Sequence, residues 1–390
     1  MTRHAATPPP RPREKRSLSH VGGRVETHGD AAACVVLATA LGEEPDADTP
    51  RAHVHGFHAY PARLHPTLAR RLIELLAPAG GVVLDPFCGS GTVLVEARLA
   101  ARRGLGSDLN PLAIALASLK SQQLHERERE AILQAGRSVA EHAQSRRHAK
   151  AGATRRYPET DVRLFEPHVL LELDGLRDGI SKVPAGIAKD ALWLVLSSML
   201  VKVGRKRGDT GDADDAPRRL AAGFVIRFFG RKVDELVRRL ADFARLLPPR
   251  SPSPKAWVGD ARDMHELRDR SVDLVLSSPP YAGNYDYAAH HDVRLRWLGL
   301  SGTLLDQREI GARRNLEPLG RADATRQYTE DLRAALCASG RVARPGSHAA
   351  LVIADSVVAH EPVWAEPLVI RATDGSPWTW LATASQVRPH

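Results

Sequence analysis

The 390-residue chain is poor in several features, and each shortage narrows what it can be. It has three cysteines, Cys34, Cys88 and Cys337, widely separated along the chain. That spacing supports neither a disulfide framework nor a metal-ligand cluster, so no metal is expected and a reducing cytoplasm is the expected compartment. No apolar run approaches the roughly 20 residues needed to cross a bilayer, so no membrane partner is expected. The N-terminus lacks the apolar core of a signal peptide, and "TPPPRPREKR" is too proline-rich to form an amphipathic targeting helix. Internal repeats are absent. So is the G-x-x-x-x-G-K-[ST] loop that cradles nucleoside triphosphates.

What is present is ordinary in bulk. Hydrophobic residues make up 43% and charged residues 26%, as in a soluble globular protein. The length suits one large α/β domain with an insertion, or two domains. The net charge of +9 becomes informative once it is located. Residues 1–50 hold six Lys/Arg against seven Asp/Glu, whereas residues 121–255 hold 26 against 18. The excess sits in one central block. Such a cluster is either a solvated arginine-rich surface or a site that steers and holds polyanions.

Along the chain, residues 1–50 read as a disordered or weakly structured tail. The helix pattern in "PTLARRLIELLAP" then puts Leu68, Leu72, Leu75 and Leu76 on one face, with Thr67 as its cap. Val82 to Leu84 reads as a short buried strand running into a glycine-rich turn. "VLVEARLAARR" is a helix, "GLGSDLNP" a strand and "PLAIALASLKSQQ" another helix. This alternation is the signature of a doubly wound, mostly parallel α/β sheet. Residues 123–254 break it, being mainly helical in pattern around a charged loop, "GRKRGDTGDADDAPRR". Alternation resumes with strands at "KAWVGDARDM" and "VDLVLSSPPY", a helix around Tyr328–Val342, the strand "HAALVIADSVV", and a last strand in "TWLATASQVRP". The expected organisation is an α/β core, residues 51–122 and 255–390, interrupted by a basic helical insertion over 123–254.

Three acids end three of the core strands. In "DPFCGSGT", Gly89 and Gly91 permit tight backbone geometry and close ligand approach, and the following helix offers free N–H groups. Position 94 is Leu, so the dinucleotide pattern G-x-G-x-x-G fails. Asp85 would repel a pyrophosphate and instead suits a cofactor carrying an ammonium group. Asp108, 17 residues beyond Gly91, stands where a carboxylate accepts hydrogen bonds from ribose hydroxyls. Asp260 ends the strand after the insertion, in reach of an adenine amino group. Each acid alone serves equally well as a helix N-cap. Three at consecutive strand ends point to a ligand, lined by Asp85, Pro86, Phe87, Cys88, Gly89, Gly91, Thr92, Asp108, Leu109, Asn110, Asp260 and Ala261.

A second constellation is "LSSPPYAGNYDY", where Pro279 and Pro280 end a strand abruptly because proline cannot donate to a sheet ladder. Together, "DPFCGSGT", "GSDLNP", "GDARDM" and "SSPPY" resemble the ordered motifs of a known group. These are the S-adenosylmethionine-dependent methyltransferases that modify exocyclic amino groups of nucleic-acid bases, the N4-cytosine/N6-adenine DNA methylases. The upstream "HGFHAYPARLHP" resembles that group's additional cofactor-binding motif. The resemblance covers roughly residues 53–122 and 255–360. It implies a Rossmann-like fold and S-adenosylmethionine as cofactor. It also implies that Asp85, Phe87, Gly89 and Gly91 surround the methionine part, Asp108 the ribose and Asp260 the adenine.

The chemistry gives the proline corner a use. An exocyclic base amine is a poor nucleophile because its lone pair is delocalised into the ring. Two fixed acceptors must hold its hydrogens so that the lone pair is aimed. Ser278 offers its hydroxyl oxygen, and the Pro279 carbonyl is held rigid by the ring of Pro280. Tyr281 can stack on a base extruded from the helix. Relatives modifying adenine usually carry Asp or Asn at the first motif position, and those modifying cytosine N4 carry Ser or Thr. Ser278 therefore implies N4-methylcytosine in DNA, with N6-adenine as the alternative. RNA base amino-methyltransferases share a similar glycine motif and PPY corner. A non-catalytic binding protein on the same fold would show eroded motif residues. Nucleic-acid contacts are expected from Lys202, Arg205, Lys206 and Arg207 in the insertion and from Arg308, Arg313 and Arg314 in "REIGARR". Tyr285 and Tyr287 either line the base pocket or pack beneath it. A cognate restriction endonuclease is a partner open to such an enzyme, as is nucleoid association. Recognition sequence and oligomeric state stay open.

Overall fold

The computed structural model describes residues 23–42, 48–205 and 219–386. Residues 1–22, Lys206 and Arg207 lie outside that range. The described residues open with β1 (Val25–Gly29) and α1 (Ala31–Leu41), followed by α2 (Pro66–Leu76). Then come β2 (Val82–Asp85), α3 (Thr92–Leu99), β3 (Arg103–Asp108) and α4 (Pro111–Ser121). Helices alone follow among the described residues: α5 (Glu126–His148), α6 (Glu159–Leu164), α7 (Pro167–Lys182), α8 (Ile187–Leu200) and α9 (Phe224–Leu246). Next are β4 (Lys255–Val258), β5 (Val272–Ser277), α10 (Tyr287–Leu298), α11 (Thr303–Arg308), α12 (Arg313–Leu316) and α13 (Gly320–Val342). The described residues end with β6 (Ala343–Leu351), the hairpin of β7 (Ser356–Val358) and β8 (Glu361–Val363), α14 (Ala365–Thr373) and β9 (Ala382–Gln386).

The central sheet has the order β4-β3-β2-β5-β6, with every neighbouring pair parallel. This is the doubly wound order, and it reverses between β2 and β5. Alternation along the strands decides which helix covers which face. Val83, Leu274 and Leu276 pack against Leu68 and Leu72 of α2 and Ala97 of α3 on one side. Leu84 and Val275 pack against Ala335, Ala338 and Val342 of α13 on the other. The helical block forms its own core around Leu173, Leu192, Val195, Phe229 and Leu236, joined to the sheet layer through Leu112 and Leu116 of α4.

Several local expectations need correction. Residues 25–41 are not a tail: β1 pairs antiparallel with β9, and Asp30 caps α1 by accepting the Ala33 amide at 2.9 Å. The expected last strand therefore leaves the central sheet and joins the N-terminal strand. "HAALVIADSVV" is two strands, β6 and β7, separated at Val352–Asp355. The inward face of α2 is Leu68, Ala69, Leu72 and Ile73, while Leu75 is exposed. Pro66 takes the first helical position, so the helix starts one residue ahead of Thr67.

Gly91 is where the glycine turn meets the next layer. Its φ is +85°, and a Cβ there would lie 2.7 Å from the Cα of Ala117 on α4. Gly91 thus serves the packing of α3 on α4, and the expectation of ligand approach at this residue is replaced by a packing role. Gly91→Ala should combine left-handed strain with overpacking, a loss of about 2–5 kcal/mol. A urea midpoint lowered at unchanged slope is the expected readout. An unmoved midpoint would mean that the two helices can separate freely.

Candidate active site

Because β2 and β5 are neighbours, the glycine turn after β2 and the proline corner after β5 emerge side by side. Open α/β sheets bind ligands at this reversal of strand order. A single cleft there is lined by Asp85, Pro86, Phe87, Cys88, Gly89, Thr92, Asp108, Leu109, Asn110, Asp260, Ala261, Ser278 and Pro280. Gly91 lies outside the lining, as do Pro279, which is buried, and Tyr281.

Asp85 is buried at the end of β2, accepting the Phe87 amide at 3.1 Å and the Ser277 hydroxyl. Burial pushes its pKa up to about 7 against those two hydrogen bonds, with the charge of Asp108 adding to the rise. Asp108 accepts the amides of Gly89 and Asn110, each at 2.9 Å. Burial lifts its carboxyl to about 6 despite both bonds. The Asn110 side chain caps α4 through the Leu112 amide at 3.0 Å, which fixes the turn carrying Asp108. Gly89, at φ +47°, leaves room for the Tyr60 ring, which a Cβ would approach to 3.2 Å. Arg63 lines the same cleft, its guanidinium donating to the His55 carbonyl at 2.5 Å.

Asp260 differs from the other two acids. It receives two hydrogen bonds from the Arg262 guanidinium, at 2.9 and 2.8 Å, and an ion pair from Arg308 at 2.8 Å. Burial alone would raise this carboxyl, but the bonds and charges of those arginines outweigh it and hold it below the usual range.

The proline corner is braced from behind. Tyr328, buried on α13, donates its hydroxyl to the Pro280 carbonyl at 2.5 Å. The hydroxyls of Ser278 and Tyr281 lie 3.4 Å apart. Tyr287 lines the cleft, and Tyr285 packs against it with ring centroids 5.6 Å apart.

Sequence reasoning missed Tyr60, Arg63, Leu305, Glu309 and Ile310, all of which line the cleft. Tyr60 and Arg63 belong to the segment already singled out as "HGFHAYPARLHP". Glu309 and Ile310 belong to "REIGARR", where the arginines drew attention instead. Arg313 and Arg314 read as phosphate contacts in the sequence, yet both guanidiniums are engaged inside the chain. Arg313 donates to the carbonyls of Gly283 and Asn284 at 3.2 and 2.6 Å. Arg314 reaches Asp286 at 3.2 Å and Glu309 at 2.8 Å. Lys202 and Arg205 are exposed just after α8, between α8 and α9 of the helical block.

The fold also gathers His53, His55 and Glu96, whose ligand atoms all lie within 4.8 Å. No sequence spacing announced that group. His55 bonds Glu96 at 2.6 Å, and Arg70 holds the other carboxylate oxygen at 2.9 Å. Burial, with the charges of Lys120 and Arg63 nearby, holds His55 neutral, so His55 and Glu96 form a buried hydrogen-bonded pair whose carboxylate is offset by Arg70.

Among known families, the DNA methylase model matches residues 41–118, a stretch that includes the glycine turn and Asp108. The chain is 25% identical over 298 residues to the Type II methyltransferase M.MvaI of Kocuria varians, covering 69% of this chain and 62% of that protein. It is 34% identical over 71 residues to the Type II methyltransferase M.MjaII of Methanocaldococcus jannaschii, covering 18% of this chain and 13% of the relative. A tRNA (guanine(10)-N2)-dimethyltransferase of Methanothermobacter thermautotrophicus is 44% identical over 52 residues, 13% of this chain and 16% of that one. The chain thus spans less than two thirds of the length of each of these relatives.

Proposed function

We propose that this chain, which belongs to the DNA methylase family, transfers a methyl group from S-adenosylmethionine to the N4 amino group of cytosine in DNA. The observation that carries the reading is the meeting of two constellations in one cleft: the strand-end acids Asp85, Asp108 and Asp260, and Ser278 of the proline corner.

The donor set fits the cofactor. A buried carboxylate that no cation offsets among the described residues, Asp85, and a guanidinium, Arg63, line one cleft, as the ammonium and carboxylate of an amino-acid head require. Asp108 suits ribose hydroxyls and Asp260 an adenine amine. When bound, S-adenosylmethionine supplies a methyl on a positively charged sulfur. The remaining work belongs to the chain. Ser278 Oγ and the Pro279 carbonyl accept the two amino hydrogens and turn the lone pair toward the methyl. Tyr328 holds the corner by its bond to Pro280. Transfer would break the methyl–sulfur bond as the C–N bond forms, leaving S-adenosylhomocysteine, and one amino proton would pass to solvent, so alignment and desolvation supply most of the rate.

The target base is extruded into the cleft against Tyr287, with Tyr281, outside the lining, 3.4 Å from the Ser278 hydroxyl. Lys202 and Arg205, with Lys206 and Arg207 beyond the described residues, and the basic helical block are the proposed phosphate contacts. A restriction endonuclease cutting the same site belongs to this reading as a partner. N6-adenine is the second reading, and the stretch shared with a tRNA methyltransferase supports RNA as a third.

Incubating the purified chain with labelled S-adenosylmethionine and matched DNA duplexes or RNA should place label in DNA only. Label in RNA alone would overturn the polymer assignment.

A further inference from the structure

Residues 308 and 309 are neighbours in sequence but bond in opposite directions. Arg308 pairs with Asp260 at the cofactor end of the cleft, at 2.8 Å. Its backbone is tied there too, since Arg262, itself on Asp260, donates to the Arg308 carbonyl at 2.9 Å. Glu309 faces the other way. It is 7% exposed, and its carboxylate accepts the amides of Tyr287 at 2.6 Å and Ala288 at 3.2 Å.

These are the free amides at the start of α10, which the helix's own N-cap residue leaves unserved. Asp286 has no side-chain bond to the helix and instead accepts the Arg314 amide at 3.0 Å. The two acids are exchanged: Glu309 caps α10, and Asp286 caps the turn that follows Glu309. Arg314 lies between both carboxylates. The Gly283 amide on the Gly311 carbonyl at 2.9 Å adds a further tie to the segment after the proline corner. Tyr287, the residue so fixed, is a wall of the cleft.

We infer that Arg308 and Glu309 are positioning residues that couple occupancy of the Asp260 end of the cleft to the Tyr287 wall of the base pocket. The inference rests on the proposed function. A cofactor adenine at the Asp260 end covers the ion pairs that Asp260 makes with Arg262 and Arg308, which strengthens them by excluding water. Any change there moves the Arg308 peptide, and the next residue carries the cap of α10. A cofactor-filled cleft then presents a more rigid pocket to the base than an empty one, an energetic coupling between two sites through one peptide unit.

The test is amide hydrogen exchange at Tyr287 and Ala288 with and without S-adenosylhomocysteine, its binding followed calorimetrically in the same samples. In the wild-type chain, ligand should slow exchange at both amides about tenfold, a change of the size expected for coupled sites. In Arg308→Met, half exposed and so compatible with folding, the ligand effect should shrink below about twofold while binding persists. In Glu309→Gln, one of the two amides should exchange about tenfold faster even without ligand, because the carboxamide oxygen can accept from one of them and its NH2 cannot accept. Binding heat with unchanged exchange in the wild type, or equal slowing in Arg308→Met, overturns the coupling alone. No binding heat in the wild type overturns the cofactor reading and the coupling with it.

Discussion

Asp85→Asn should stabilise the ligand-free protein above pH 7 while abolishing cofactor binding. The wild-type carboxyl is buried, with a pKa of about 7 against an ordinary value of 3.8. Its folded-state pKa is raised, so the native chain holds this proton more tightly than the unfolded chain between about pH 4 and 7. Stability from this group is therefore lost as pH rises through that window and stays lost above it. At 1.36 kcal/mol per unit, the burden is on the order of 4 kcal/mol at pH 8. Asparagine carries no such burden, and its Oδ1 can still accept the Phe87 amide and the Ser277 hydroxyl. Thermal unfolding at pH 8 should show the variant melting higher, with the gap closing by pH 4. S-adenosylhomocysteine should then raise the melting temperature of the wild type and leave that of the variant unmoved. A variant less stable at pH 8 would mean that Asp85 is a structural acid with an unseen partner.

Ser278→Ala should lower methyl transfer about 10²–10³-fold with cofactor affinity unchanged, the usual consequence of removing one polar group that acts on developing charge. The side chain is half-buried and its hydrogen bond to Tyr281, at 3.4 Å, is long, so folding should survive the loss. Pro280→Ala tests the rigidity of the second acceptor, because it keeps both carbonyls and frees the backbone of residue 279. Its rate should fall less, about tenfold. The decisive contrast is between rate and binding. If Ser278→Ala loses cofactor affinity in proportion to rate, the corner belongs to the cofactor site and not to the amine.

The parts legible in sequence share a local cause. Continuous apolar strands, glycines after them and acids at their ends all fall within a few residues of one another, so β2, β3 and the Asp85 and Asp108 turns could be read directly. Ser278 was legible because two prolines after an apolar run leave little else for the chain to do there. What sequence hid depends on partners far along the chain. β1 is a strand only because β9 lies beside it, and nothing near Val25 announces Gln386. Gly91 shows its role only when Ala117 is set against it. Arg313 and Arg314 looked like phosphate ligands because sequence displays charge and conceals carbonyl partners. Glu309 was passed over for the same reason, since it bonds to backbone amides that carry no mark in the sequence.

If Ser278 aims a cytosine amino group, the methylated nucleoside itself identifies the base. DNA carrying all four bases is incubated with the purified chain and S-adenosylmethionine, digested to nucleosides and resolved by mass spectrometry. The expected product is N4-methyldeoxycytidine, absent when Ser278→Ala is used. N6-methyldeoxyadenosine as the sole product would contradict the assignment of the base, and an unmethylated digest would contradict the assignment of the reaction.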